Sequence, residues 1–152
     1  MPRSPVCVDA NIVVALVTAE TSSQKALALW TEWMTSEIEP VAPRLLHFEV
    51  TSVMRRKVVR GSMQLEDASR SLREALALDI AVIDPAGLSA LAFELADRLR
   101  QPAAYDAHYL ALSELLDCEC WTANERLYNA IHAQVPRLRW LGHFGAGTPT
   151  PL

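Results

Sequence analysis

Cysteine is scarce in this chain, glycine is sparse and long apolar runs are missing, and each shortage closes off a class of protein. The three cysteines, Cys7, Cys118 and Cys120, are an odd number with no ladder of spacings, which argues against a disulfide framework. Cys118-Glu119-Cys120 has the wrong spacing for a zinc knuckle. Period two places those two sulfurs on one strand face, and all three thiols are expected to be reduced and buried. No apolar run reaches membrane-spanning length, and "MPRSPV" lacks the apolar stretch of a secretory signal. A cytoplasmic protein with no membrane partner is the expectation.

Five glycines in 152 residues, with 51% hydrophobic and 21% charged residues, describe an ordinary globular chain long enough for one real core. Nor is there an excess of positive charge: the formal net charge of −4 gives no general pull toward nucleic acid. Lysine is confined to Lys25 and Lys57. Four of the 14 Lys and Arg residues, Arg55, Arg56, Lys57 and Arg60, nevertheless cluster within six positions. Two readings fit that cluster, a solvated helix end complementing the dipole or a patch that contacts phosphates.

Against this background one stretch stands out. "VCVDANIVVALV" (Val6 to Val17) sets the carboxylate of Asp9 inside an otherwise apolar run, with only Asn11 for polar company. Burying an unpaired carboxylate is costly, so Asp9 requires a compensating partner.

The pattern along the chain alternates. Val6–Asp9 reads as a buried strand and Asn11–Val17 as a short helix; a second helix, capped by Thr21 or Ser22, runs to about Ile38. Glu39–Pro43 is extended, and Pro43 then opens a helix that Gly61 ends. Gln64–Leu78 is amphipathic and Asp79–Asp84 ("DIAVID") reads as a strand. Helices follow over Ala86–Arg100 and from Pro102 to about Leu116, then a strand "CECWTA", a helix Asn124–Gln134 and a last strand "RLRWL". Strands separated by helices imply right-handed crossovers and a parallel sheet covered on both faces. Ligands of such sheets gather at the carboxyl ends of the strands, the edge at which Asp9 lies.

Three further polar residues fall where they could share that edge. Glu49 lies on the apolar side of its helix with Leu45, Leu46, Val50 and Val53, Asp106 opens a helix ahead of Leu110, and Asn124 follows directly on a strand, with Thr122 at its end. Taken singly, each has an ordinary structural explanation, such as an N-cap or a carboxylate reaching solvent. Converging together, three carboxylates require a cation, and oxygen-only ligands select hard divalent ions such as Mg²⁺ or Mn²⁺.

In their order and spacing, "VDAN", the Glu early in its helix, "YDAHYLALS" and "TANERLYNA" resemble the PIN-domain nucleases, in particular the VapC-type ribonuclease toxins of bacterial toxin–antitoxin pairs. The resemblance implies a three-layer α/β/α sandwich around a central, mainly parallel sheet of about five strands. It assigns residues 1–142 to a single domain and leaves 143–152 ("HFGAGTPTPL") as a flexible tail. Carried over by position, Asp9, Glu49 and Asp106 match the family's metal-binding acids, and Asn11 its small polar residue beside the first acid. Asn124 stands where the family most often has Asp, so the site carries one negative charge fewer and a second metal there is expected to bind more weakly.

The activity so implied is metal-dependent hydrolysis of single-stranded or structured RNA that leaves a 5′-phosphate and a 3′-hydroxyl, with Thr122 and Asn11 either supporting the acids or facing the substrate. Arg55, Arg56, Lys57 and Arg60 are then candidates for the RNA backbone, and a cognate antitoxin and a homodimer are the implied partners. Two other classes stay open: a non-catalytic PIN-like module that binds RNA or protein, suggested by Asn124, and a phosphotransferase with a strand-end Asp nucleophile. The last calls for an Asp where Asn11 stands. His47, His108 and His132 read as structural or surface residues. Trp30, Trp33, Trp121 and Trp140 read as core or interface, with Trp30 and Trp33 suited to a dimer or antitoxin surface.

Overall fold

The computed structural model describes residues 3–145. Five strands, β1 (Ser4–Val8), β2 (Ile38–Ala42), β3 (Ala81–Val82), β4 (Cys120–Thr122) and β5 (Leu138–Trp140), form one sheet in the order β3-β2-β1-β4-β5. All four pairings are parallel, with Cys7 opposite both Val41 and Cys120. Seven helices join them: α1 (Ala10–Val17), α2 (Ser23–Thr35), α3 (Leu45–Val59), α4 (Leu65–Ala77), α5 (Leu88–Arg98), α6 (Tyr105–Leu115) and α7 (Glu125–Ile131). This is the α/β sandwich expected, with a fully parallel sheet.

Burial explains why β1 is central. Val6, Cys7 and Val8 are at most 4% exposed, as befits a parallel strand covered on both faces. Helix α6 packs on β1 and beside α5, while α1 packs against α2, α3 and α4. The chain builds outward from β1 through β2 to β3, then returns to place β4 and β5 on the other side. The strand order therefore reverses between β1 and β4, and the carboxyl ends of those two strands frame the crevice where ligands of open α/β sheets bind.

Several boundaries differ from expectation. The second helix stops at Thr35, not Ile38: Glu37 adopts a left-handed φ of 56°, and Ile38 pairs with Ser4 as the first residue of β2. Of "DIAVID" only Ala81–Val82 is strand, because β3 is an edge with only Val41 and Ala42 of β2 to pair with. The fifth helix begins at Leu88, after Gly87 at a φ of 83°. The sixth begins at Tyr105 instead of Pro102. Helix α3 ends as expected at Gly61, whose N–H donates to Val58 O while Ser62 N–H reaches Lys57 O, a Schellman closure.

Cys118 is not on a strand. Asp117 turns the chain through a φ of 50°, so β4 begins at Cys120 and Cys118 is half-buried on the approach. All three thiols are free, and burial pushes those of Cys7 and Cys118 upward, the latter to about 11. Trp33 is buried at 3% exposure in an edge-to-face series with Trp30, Trp121 and Phe144, so it belongs to the core and not to a docking surface. Phe144 and the 3₁₀ turn Leu141–His143 thus pack where the tail was expected to start; residues 146–152 of that expected tail lie outside the described residues. Among the described residues no helix is long and apolar enough to cross a membrane.

Candidate active site

Asp9 leaves β1 and caps α1 in a single step. Its backbone is extended, its N–H completes the ladder to Trp121 O at 3.0 Å, and its Oδ1 accepts the Ala10 N–H at 2.7 Å. The positive end of the helix dipole favours an anion at this position. Oδ2 accepts from Thr122 Oγ1 at 2.9 Å and from Asn11 Nδ2 at 3.3 Å. The carboxylate is only 5% exposed and needs these donors.

The support is itself held. Asn11 Oδ1 accepts the Ala123 N–H at 2.8 Å and Asn11 Nδ2 donates to Thr122 Oγ1 at 3.2 Å. Thr122 Oγ1 also accepts the Asn124 N–H at 3.0 Å. Asn124 caps α7 through an Oδ1 bond from Leu127 N–H at 3.1 Å. Asp9, Asn11, Thr122 and Asn124 are therefore one connected unit across the β1/β4 junction, with Asn124's carboxamide oxygen engaged in capping.

Two helices bring the remaining acids. Asp106 lies in the first turn of α6 and Glu49 in the second turn of α3, both half-buried. Burial pushes the Asp9 carboxyl up to about 7, with the negative charges of Asp106 and Glu49 adding to the rise and the Thr122 bond opposing it. Glu49 is raised chiefly by burial; the Tyr109 hydroxyl, which donates to its Oε1 at 2.6 Å, pulls the other way, Asp106 raises it, and Arg56 and His108 lower it. Burial also raises Asp106. The three acids lie within one another's electrostatic reach, and the nearby positive charge does not neutralise them.

Among the described residues no three His, Cys, Asp or Glu side chains are gathered closely enough to hold one ion between them. Asp9 and Glu49 accept hydrogen bonds from the protein instead. A magnesium-type ion asks for less: one or two carboxylates, retained waters and substrate phosphates suffice. The all-oxygen donors and the raised Asp9 carboxyl fit such an ion.

The basic cluster divides. Arg56 lines a cavity of about 350 Å³ with Glu49 and acts on its charge. Lys57 turns away to Glu20, 2.9 Å from its carboxylate. Arg55 lies along the groove between α3 and α4, and exposed Arg60 follows the last turn of α3. Successive helix positions are rotated by about 100°, so neighbouring cations cannot all face one site. Sequence reasoning missed Tyr109, which follows Asp106 by three residues and is thus on its face of α6. It also left His108 outside a site whose Glu49 it influences, although its Nδ1 lies 2.6 Å from Ala104 O.

Known proteins share this architecture. The PIN domain family model matches residues 6–132. Ribonuclease VapC9 of Mycobacterium tuberculosis is 34% identical over 94 residues, covering 62% of this chain and 72% of that protein. Among solved structures, Mycobacterium tuberculosis VapC20, a sarcin-ricin-loop-cleaving toxin, superposes with a TM-score of 0.64 at 16% identity over 86% of this chain and 95% of its own. A toxin–antitoxin complex from Klebsiella pneumoniae gives a TM-score of 0.62 at 19% identity over 90% of this chain and 97% of the other. VapBC2 of Rickettsia felis, solved on a promoter DNA fragment, gives 0.60 at 16% identity over 90% and 96%. These likenesses at low identity speak for the fold, and the family match spans the strands and helices that carry Asp9, Glu49, Asp106 and Asn124. The chain belongs to the PIN-domain family.

Proposed function

We propose that the chain is a divalent-metal-dependent endoribonuclease, the toxin of a VapBC-type pair. One observation carries this reading: a carboxylate 5% exposed, at the carboxyl edge of β1 where the strand order reverses, is pushed up to about 7 by burial and by two further acids. A fold maintains such a group against its solvation cost where function demands it. The relatives named as VapC ribonucleases support the activity, and the neighbours solved as toxin–antitoxin complexes support a cognate antitoxin. A homodimer in the cytoplasm goes with that reading.

In the proposed mechanism Asp9 and Asp106 would hold Mg²⁺ or Mn²⁺ together with retained waters and a substrate phosphate, and Glu49 would act through that water shell. When bound, the ion supplies Lewis-acid chemistry, lowering the pKa of water and offsetting charge at the phosphate. Thr122 and Asn11 fix the Asp9 carboxylate, and Tyr109 fixes Glu49 and favours its ionised form. Arg56, beside Glu49, meets the RNA backbone. Hydrolysis leaves a 5′-phosphate and a 3′-hydroxyl.

Incubation of the purified protein with a mixed RNA pool tests the reading. Cleavage that stops with chelator, returns with Mg²⁺ or Mn²⁺ and is lost in Asp106→Asn supports it. Equal cleavage with and without chelator contradicts it. A second reading, a non-catalytic module, is favoured by Asn124, whose oxygen is engaged by Leu127; it expects no cleavage until Asn124 is replaced by Asp.

A further inference from the structure

Two exposed aromatic rings flank the acid centre, and nothing in the proposed hydrolysis uses them. Phe48 is 65% exposed and Tyr105 is 63% exposed. Among the described residues the only other aromatic in the exposed class is Phe93, on α5. A small chain with three Phe and three Tyr has thus left two of them in water at one place. That place is specific: both rings line the cavity of about 350 Å³ that also contains Glu49 and Arg56.

The same local pattern puts them there. Phe48 immediately precedes Glu49 on α3, and Tyr105 immediately precedes Asp106 on α6. One helical position is a rotation of about 100° and a rise of about 1.5 Å, so each ring stands on the outer flank of the acid that follows it. The two helices bring both flanks to one cavity. A neighbouring cavity of about 410 Å³ shares Phe48 and continues past His108 to Arg44. Arg44 is held by Asp84, which accepts its backbone N–H at 2.9 Å and lies 4.0 Å from its guanidinium. Guanidinium groups therefore stand at both ends of the stretch, Arg56 at one and Arg44 at the other, with Phe48 between them.

Aromatic faces interleaved with cations are what an unpaired nucleic-acid strand requires: bases stack on the rings and phosphates meet the charges. A duplex offers no free base face and gains nothing from the rings. We infer that Phe48 and Tyr105 form a stacking clamp for an unpaired base next to the phosphate that is cut. The inference rests on the nuclease reading for its location, but it concerns binding and is tested without cleavage. The competing occupant of the rings is a protein segment, such as a partner's apolar side chain.

The test is anisotropy of a labelled single-stranded oligoribonucleotide with the full chain in chelator, where no cutting occurs, beside a blunt-ended two-strand duplex of equal length. A 2-aminopurine in the strand reports stacking directly. Phe48→Leu and Tyr105→Leu keep apolar bulk and remove the ring; Tyr105→Phe keeps the ring. Each leucine variant is expected to weaken single-strand binding roughly tenfold, leave duplex binding unchanged and relieve the 2-aminopurine quenching, while Tyr105→Phe behaves as the natural protein. Unaltered binding and quenching in folded Phe48→Leu/Tyr105→Leu protein overturns the clamp, as does a loss confined to capture of a protein partner. Absence of cleavage in every protein when Mg²⁺ or Mn²⁺ is restored overturns the nuclease reading instead and leaves the binding result standing.

Discussion

The Tyr109 hydroxyl donates to Glu49 Oε1 at 2.6 Å, joining two helices sixty residues apart in sequence at the edge of the acid centre. Tyr109 is itself 1% exposed, so its hydroxyl has little access to water as an alternative. The bond favours the ionised form of Glu49 against burial and against Asp106. Replacing Tyr109 by Phe is expected to cost about 1–2 kcal/mol of stability and to raise the Glu49 carboxyl further. Chemical denaturation reads the first. An acid limb of the pH–rate profile displaced to higher pH reads the second, and an unshifted limb counts against the role.

Asp9 makes metal-free stability depend on pH with a definite sign. Its folded value of about 7 lies above its ordinary 3.8, so the fold prefers the neutral acid. The stability contributed by that preference is complete below the ordinary value and is lost as pH rises through about 7. The range is on the order of a few kcal/mol. Glu49 and Asp106 are shifted in the same direction. In chelator, thermal unfolding of the natural protein is expected to lose more stability between pH 5 and pH 8 than Asp9→Asn does. Parallel profiles for the two proteins would show that Asp9 is not under this strain.

Much of this arrangement was legible in the residues. Asp9 betrays itself by its apolar flanks, and Glu49 and Asp106 by their positions on apolar helix faces. What escaped were contacts set by distant segments. Lys57 belongs to Glu20 because the turn between α1 and α2 reaches the end of α3, which local spacing does not encode. Tyr109 carries no local signal of its role, because its ring is buried like any core aromatic and only its hydroxyl serves Glu49. The left-handed turns at Glu37 and Asp117 fall on residues without glycine's permissiveness, so the ends of α2 and β4 gave no warning.

Asn124→Asp keeps the cap on α7, since Asp and Asn cap about equally well. It adds a negative charge to the unit containing Asp9 and Thr122. Divalent-ion affinity, followed by calorimetry, is expected to rise roughly tenfold through the added ligand charge. No change would place Asn124 outside the ion's reach.

Arg56 and Lys57 are adjacent in sequence and separate in role. Arg56→Gln is expected to weaken RNA binding and to reduce the salt dependence by about 0.7 in slope for a single strand. Lys57→Gln should leave that slope alone and cost less than about 1 kcal/mol, the usual value of a surface pair. Equal effects on RNA affinity would return Lys57 to the binding surface.

The most direct measurement pairs stability with cleavage in Asp9→Asn. The amide removes the charge that burial, Asp106 and Glu49 oppose. At pH 8 in chelator the variant should therefore be at least as stable as the natural protein, yet show no Mg²⁺- or Mn²⁺-dependent cutting of RNA. Retained cutting by the folded variant would contradict Asp9 as the centre of a metal-dependent nuclease.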